Sequence, residues 1–166
     1  MVPAEPPARP PLPAPRDPAW ADRVAAGFAA QPFMAHLGAR LGPIAPGRVE
    51  IELPITAALG QQHGFVHAGC AWSIADSAAG FAAQSLMAAT DGVLTVELKI
   101  NLLAPAEGTL LRAIGQVERA GRRLTVARSD VFAERDHGHG EGNAPRHVAT
   151  ALGTFMSIPE SGMSRR

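Results

Sequence analysis

Asp76 is the only ionisable carboxylate in the stretch "HAGCAWSIADSAAGFAAQSLMAAT", residues 67–90. Small and apolar residues surround it, and no Lys or Arg lies nearby in sequence. A carboxylate on such a helix is costly to bury unless it is paired or used. It follows His67 by nine residues. At helical spacing Gly69, Trp72, Ser73, Asp76, Gly80 and Ala83 share one face. The small residues on that face leave room for a ligand or for close backbone approach. The helix is expected to begin near Ala68, just after the turn "GFVHAG". The free backbone N–H groups and positive dipole end of its first turn can hold a developing oxyanion. A buried carboxylate beside oxyanion donors is what acyl transfer to water requires.

Other reactive residue types carry weaker signals. Cys70 sits in the expected first turn, where a thiol pKa can fall, but a lone cysteine is most often a small buried hydrophobe. His137, His139 and His147 fall in the loop "HGHGEGNAPRH" without a Cys or carboxylate frame to set metal geometry, so no metal is expected. Arg119, Arg122 and Arg123 mark a hairpin tip that is either solvated or suited to phosphate.

The elements that must position these residues read as follows. Residues 1–17 are Pro-rich and predict a disordered or extended tail; 18–160 form one domain, and 161–166 a flexible end. In "DPAWADRVAAGFAAQPFMAHLG", Asp17 can cap a first helix, Pro18 suits its first turn, and a second short helix fits Pro32–Leu37. "GRVEIELPI" predicts a half-buried strand with Val49, Ile51 and Leu53 inward, Glu50 and Glu52 outward. The central helix is expected over roughly Ala68–Ala89, about 30 Å long. "VLTVELKINLL" alternates, with Leu94, Val96, Leu98, Ile100 and Leu102 on one face and Thr95, Glu97, Lys99 and Asn101 on the other. "TLLRAIGQVER" and "RRLTVARSDVFAE" make a hairpin across "AGR", and "VATALGTFMSI" is the last strand. The result is α+β: an antiparallel sheet with one long helix that is apolar nearly all round. Such a helix must be covered on more than one side, which predicts an oligomer.

Composition excludes several classes. The chain has 166 residues, 46% apolar and 18% charged, with 15 Lys plus Arg against 15 Asp plus Glu. That neutral balance argues against a nucleic-acid partner. The central run contains Asp76 and Gln84 and is rich in Ala, Gly and Ser, so no membrane span is expected. One cysteine excludes an intrachain disulfide and suits a reducing, cytoplasmic setting.

Four segments, "GFVHAGCAWSIADSAAGFA", "VLTVELKINLLAPAEGTL", "AGRRLTVARSDVFA" and "VATALGTF", occur in order over roughly residues 37–158. Together they resemble the hotdog-fold acyl-CoA thioesterases of the phenylacetyl-CoA thioesterase (PaaI-like) type. The resemblance implies an antiparallel sheet wrapped around the central helix, a dimer or tetramer, an acyl-CoA substrate and no cofactor. It assigns Asp76 as the carboxylate that attacks the thioester or deprotonates water. Ala68, at the position of the family's Gly after the motif His, would polarise the thioester oxygen through its N–H. Gln61 stands where this branch has Asn and the related 4-hydroxybenzoyl-CoA thioesterases have Gln; it would orient the water. His67 matches the motif His and supports the loop, and Thr95 matches a hydroxyl that helps hold the water. The family's site is shared across a dimer, carboxylate from one chain and helix N-terminus from the other. A non-catalytic acyl-CoA binding module of the same fold is the alternative. A hotdog hydratase fits less well, because its His closely follows its Asp rather than preceding it by nine residues.

Overall fold

The computed structural model describes residues 11–135 and 144–159. Its elements are α1 (Trp20–Ala29), α2 (Pro32–Leu37), β1 (Arg40–Ala45), β2 (Arg48–Pro54), a 3-10 turn (Ala57–Leu59), α3 (Ala68–Gln84), β3 (Asp91–Leu102), β4 (Leu110–Ala120), β5 (Leu124–Glu134) and β6 (Arg146–Pro159). The six strands form one sheet in the order β1-β2-β4-β5-β6-β3, every pair antiparallel. α3 lies across it, burying Ala75, Ala78, Ala79 and Ala82 against the strands. Their small size sets a close approach. A methyl added at Gly115 of β4 would fall 2.2 Å from the Ala78 carbonyl oxygen. This is the hotdog arrangement.

The second covering of α3 comes partly from the same chain. Val24 and Phe28 of α1 are buried, and the Phe28 ring meets Phe81 edge-on at 6.0 Å between centroids. Each such side chain contributes about 1.5–3 kcal/mol on burial. The cover does not extend to the N-terminal half of α3, where Trp72 stays 41% exposed.

α3 stops at Gln84, short of the expected Ala89. Arg23 and Arg16, more than sixty residues upstream, take the carbonyls at its end. Arg23 donates to Gln84 O at 3.2 Å, Met87 O at 2.9 Å and Asp91 O at 2.7 Å; Arg16 donates to Leu86 O at 3.3 Å. Asp17, the expected cap of α1, instead accepts from Ala19 N and ion-pairs with Arg23 at 2.7 Å. Within the expected tail, residues 11–17 are described, and Leu12 packs against the core. Residues 161–166 lie outside the described residues.

Two strand readings change. β1 had no sequence counterpart, because Gly42 and Pro43 break its pattern. In β2, the alternation predicts Glu50 on the outer face. It is buried instead, because Arg48 at 2.7 Å and Arg112 at 3.3 Å pair with its carboxylate.

The larger correction concerns β3. Thr95 pairs with Phe155 and Glu97 with Thr154, so Val96 is an extra residue in the ladder. A bulge of this kind breaks the two-residue alternation. Thr95 therefore joins Leu98, Ile100 and Leu102 on the helix side, while Leu94 goes to the outer side with Glu97 and Lys99. The simple alternation had separated them the other way.

Candidate active site

Asp76 lies halfway along α3, partly buried, and faces Thr95 across the gap to β3. Thr95 Oγ1 donates to Asp76 Oδ1 at 2.8 Å. Burial pushes the Asp76 carboxyl above its ordinary value of 3.8, and the Thr95 hydrogen bond pulls it partly back. A carboxylate of raised basicity at a cavity wall is suited to take a proton or attack a carbonyl. The cavity measures about 330 Å³ and is lined by Trp72, Ser73, Asp76 and Ser77 of α3 and by Ala30–Met34 of the α1–α2 turn.

The start of α3 is built by a pinned loop. Gly60 bridges Val66, Gln61 N donates to Phe65 O at 2.8 Å, and His67 N donates to Leu59 O at 2.8 Å. His67 is the N-cap residue. Its Nδ1 accepts from Gly69 N at 2.9 Å, so in the neutral ring the proton sits on Nε2. Its carbonyl takes the Cys70 N–H. The first-turn N–H of Ala68 is left with no partner among the described residues. Gln61 and Ala68 line a second cavity, about 350 Å³, with Phe65, Ala71 and residues 102–106.

The expected site residues thus fall into two groups. Asp76 and Thr95 meet; Gln61 and Ala68 line one cavity, with His67 capping the helix next to Ala68; the two cavities have no lining residue in common. Eight residues of helix, about 12 Å, separate Ala68 from Asp76. Of the aromatic and Met positions near the helix, Trp72 lines the first cavity and Phe65 the second, while Phe81 and Met87 belong to the core. The α1–α2 wall carried no signal linking it to Asp76 in the sequence; only folding brings residues 30–34 beside residue 76.

The remaining chemistry-bearing residues do other things. Cys70 is buried, and burial pushes its thiol up, away from the reactive thiolate. His147 is bonded to Asp130 at 3.1 Å and stacks on Phe132. His137 and His139 lie outside the described residues, and among the described residues no cluster could hold a metal ion. Arg119, Arg122 and Arg123 are exposed at the β4–β5 hairpin. Among the described residues, no helix is long and apolar enough to cross a membrane.

Known proteins share the fold and the family. Residues 63–138 match the thioesterase superfamily. A Halobacterium salinarum protein named as a candidate esterase is 30% identical over 128 residues, 74% of this chain and 82% of that protein. A thioesterase family protein from Silicibacter pomeroyi is 46% identical in its crystal structure, with a TM-score of 0.79 over 84% of this chain and 98% of that one. The E. coli PaaI protein from the phenylacetic acid degradation operon shares the fold at 19% identity, with a TM-score of 0.71 over 86% and 96% of the chains. The fold and these relatives define a hotdog protein of the thioester-hydrolase class. The chain belongs to the thioesterase superfamily.

Proposed function

We propose that the chain hydrolyses acyl-CoA to the free acid and CoA, with Asp76 as the reacting carboxylate and Ala68 N–H as the oxyanion donor. The observation that carries this reading is the half-buried Asp76, oriented by Thr95 at 2.8 Å and open to a cavity of acyl size. As a base, Asp76 takes a proton from water while the water oxygen adds to the thioester carbon. As a nucleophile, it adds directly, and water cleaves the resulting anhydride. In both routes the carbonyl oxygen gains negative charge against the Ala68 N–H. The C–S bond then breaks and the CoA sulfur leaves with a proton. Gln61, beside Ala68, orients the water or the carbonyl. His67 holds the loop and the helix start rather than touching the reacting atoms.

One chain supplies only half of this arrangement, since about 12 Å of helix separates Asp76 from Ala68. Two copies joined along β3 would complete it, Asp76 of one facing Ala68 of the other. The two sheet edges favour that join. β1 is interrupted by Pro43 and a bulge, a device that blocks strand addition, whereas β3 offers twelve residues with Leu94 and Val96 48% and 54% exposed. A reducing cytoplasmic setting suits the single free cysteine.

Free-thiol release over a panel of acyl-CoAs, with wild type beside Asp76→Asn, tests the reading. Release by wild type and its loss in a folded variant is the expected result. Equal release by both would sink the role of Asp76. Binding without release by either would make the chain an acyl-CoA binding module.

A further inference from the structure

The outer face of the sheet, turned away from α3, has no cover in a single chain. Phe155 of β6 packs over Gly80 of α3, so its neighbours in sequence, Thr154 and Met156, point outward. The register carries that outward side across three strands. Leu94, Met156 and Leu124 form one row, and Lys99, Leu152 and Arg128 another. Leu94, Leu124 and Leu152 are each about half exposed. Between the rows stand Glu97 and Thr154, with Thr154 Oγ1 donating to Glu97 at 2.8 Å. Arg128 is held by Glu118 at 3.0 Å and Asp130 at 3.5 Å. Lys99 is exposed and has no ion-pair partner among the described residues. Leucines left in water and interleaved with charges of both signs suit a protein contact, not a membrane or a nucleic acid.

We infer that this face is where a second β3-joined pair of the same chain docks, giving four chains with two sheets back to back. Two features pick a copy of the chain as the occupant. The first is charge. Glu97 and Lys99 are two residues apart on one face and opposite in sign. A two-fold axis crossing β3 between them sets Glu97 of each copy against Lys99 of the other, so the face is complementary to itself. That axis falls near the middle of β3, where a join along the strand has its own axis. Two axes that meet close the assembly instead of extending it. The second feature is area. At about 4.8 Å between strands and about 3.3 Å per residue, three strands from Leu94 to Asn101 present about 350 Å². Two single chains would bury about 700 Å² in total, the scale of a crystal-packing contact, whereas two pairs bury about 1,400 Å², within the range of a stable interface. The face is too small for lone chains and adequate for pairs. Docking therefore rests on the β3 join proposed above.

Light scattering and sedimentation velocity on the full chain read the number of chains, with thiol release measured beside them. Wild type is expected at four chains. Lys99→Glu sets Glu against Glu and is expected to give two, with release per chain unchanged, because the proposed site lies between chains joined on β3. The exchange Glu97→Lys, Lys99→Glu is expected to restore four. Leu124→Arg, at an exposed position, is expected to give two and decides alone if the Lys99 variants do not fold. Wild type that stops at two chains, Lys99→Glu that stays at four, or an exchange that stays at two overturns the inference. Val96→Lys separates this contact from the β3 join. If Val96→Lys gives single chains and Lys99→Glu changes nothing, the join stands and the back-to-back contact falls. If Lys99→Glu splits the assembly while Val96→Lys leaves the wild-type size, the outer face still joins copies and the β3 join falls.

Discussion

Thr95 Oγ1 reaches Asp76 Oδ1 at 2.8 Å because β3 carries one extra residue, Val96, between Thr95 and Glu97. Without that bulge Thr95 would face away from α3. The hydroxyl favours the ionised carboxylate, against the burial that disfavours it. In Thr95→Val the Asp76 carboxyl should rise further, so the acid limb of the kcat/KM profile moves to higher pH. Thr95→Ser should leave the limb near its wild-type position. A limb that stays put in Thr95→Val would detach this hydroxyl from the ionisation of Asp76.

Asp76→Asn keeps an acceptor for Thr95 but loses the carboxylate proposed as base or nucleophile. Turnover should fall by about 10²–10⁴-fold, the usual contribution of a positioned proton-transfer group. Stability should respond in the opposite sense. The folded-state pKa of Asp76 is raised, so above its ordinary 3.8 the native chain holds a proton that the unfolded chain has released. Native stability is therefore lost as pH rises through that window, and the loss is complete above the folded-state pKa. Asn does not titrate. Urea melts at a series of pH values should show the variant gaining on wild type from pH 3.8 upward and then levelling off. A constant difference would contradict the raised pKa.

Ala68 can be stripped of its N–H with little damage to the helix. It is the first residue of α3, where proline is well tolerated, and His67 before it is already extended at ψ 135°. Ala68→Pro should lower kcat by about 10²–10³-fold, as loss of one oxyanion donor does. Mixing Ala68→Pro with Asp76→Asn chains should restore activity, because one of the two sites in a mixed dimer would have both groups intact. If the mixture stays inactive after subunit exchange, the site is not shared.

A charge on the open edge of β3 should keep copies apart. Val96→Lys is expected to shift the chain toward monomer in light scattering and to abolish thiol release, although Asp76 and Ala68 are untouched. A fully active monomer would remove the need for a second copy.

Arg23 ties α1 to the end of α3 through three carbonyls and Asp17. Arg23→Ala leaves Asp17 buried without its cation. The loss should be at least about 1.5–3 kcal/mol in a urea titration, the scale of a hydrogen bond to a charged group. A change within error would mean that these carbonyls are satisfied another way.

What was legible in the sequence was local. The start of α3 shows in the small-residue run after His67, α2 in Pro32 and Gly38, and the buried face of β2 in Val49, Ile51 and Leu53. Asp76 announced itself as a lone carboxylate on an apolar helix. What was not legible depended on partners distant in sequence. The end of α3 is fixed by Arg23, β1 is accepted because it pairs with β2 despite Gly42 and Pro43, and Glu50 is buried because Arg112 arrives from β4. The bulge at Val96 is invisible to a two-residue period, so a simple alternation puts Thr95 on the wrong face of its strand. The α1–α2 wall of the cavity gave no sign at all.

One wall of the Asp76 cavity comes from residues 30–34, while the stretch that matches the superfamily begins at residue 63. Asp76 and that wall are thus written in separate parts of the chain, with Trp72, Ser73 and Ser77 of α3 completing the lining. Exchanging the α1–α2 segment between relatives would reshape one wall of the cavity while leaving Asp76 and α3 as they are.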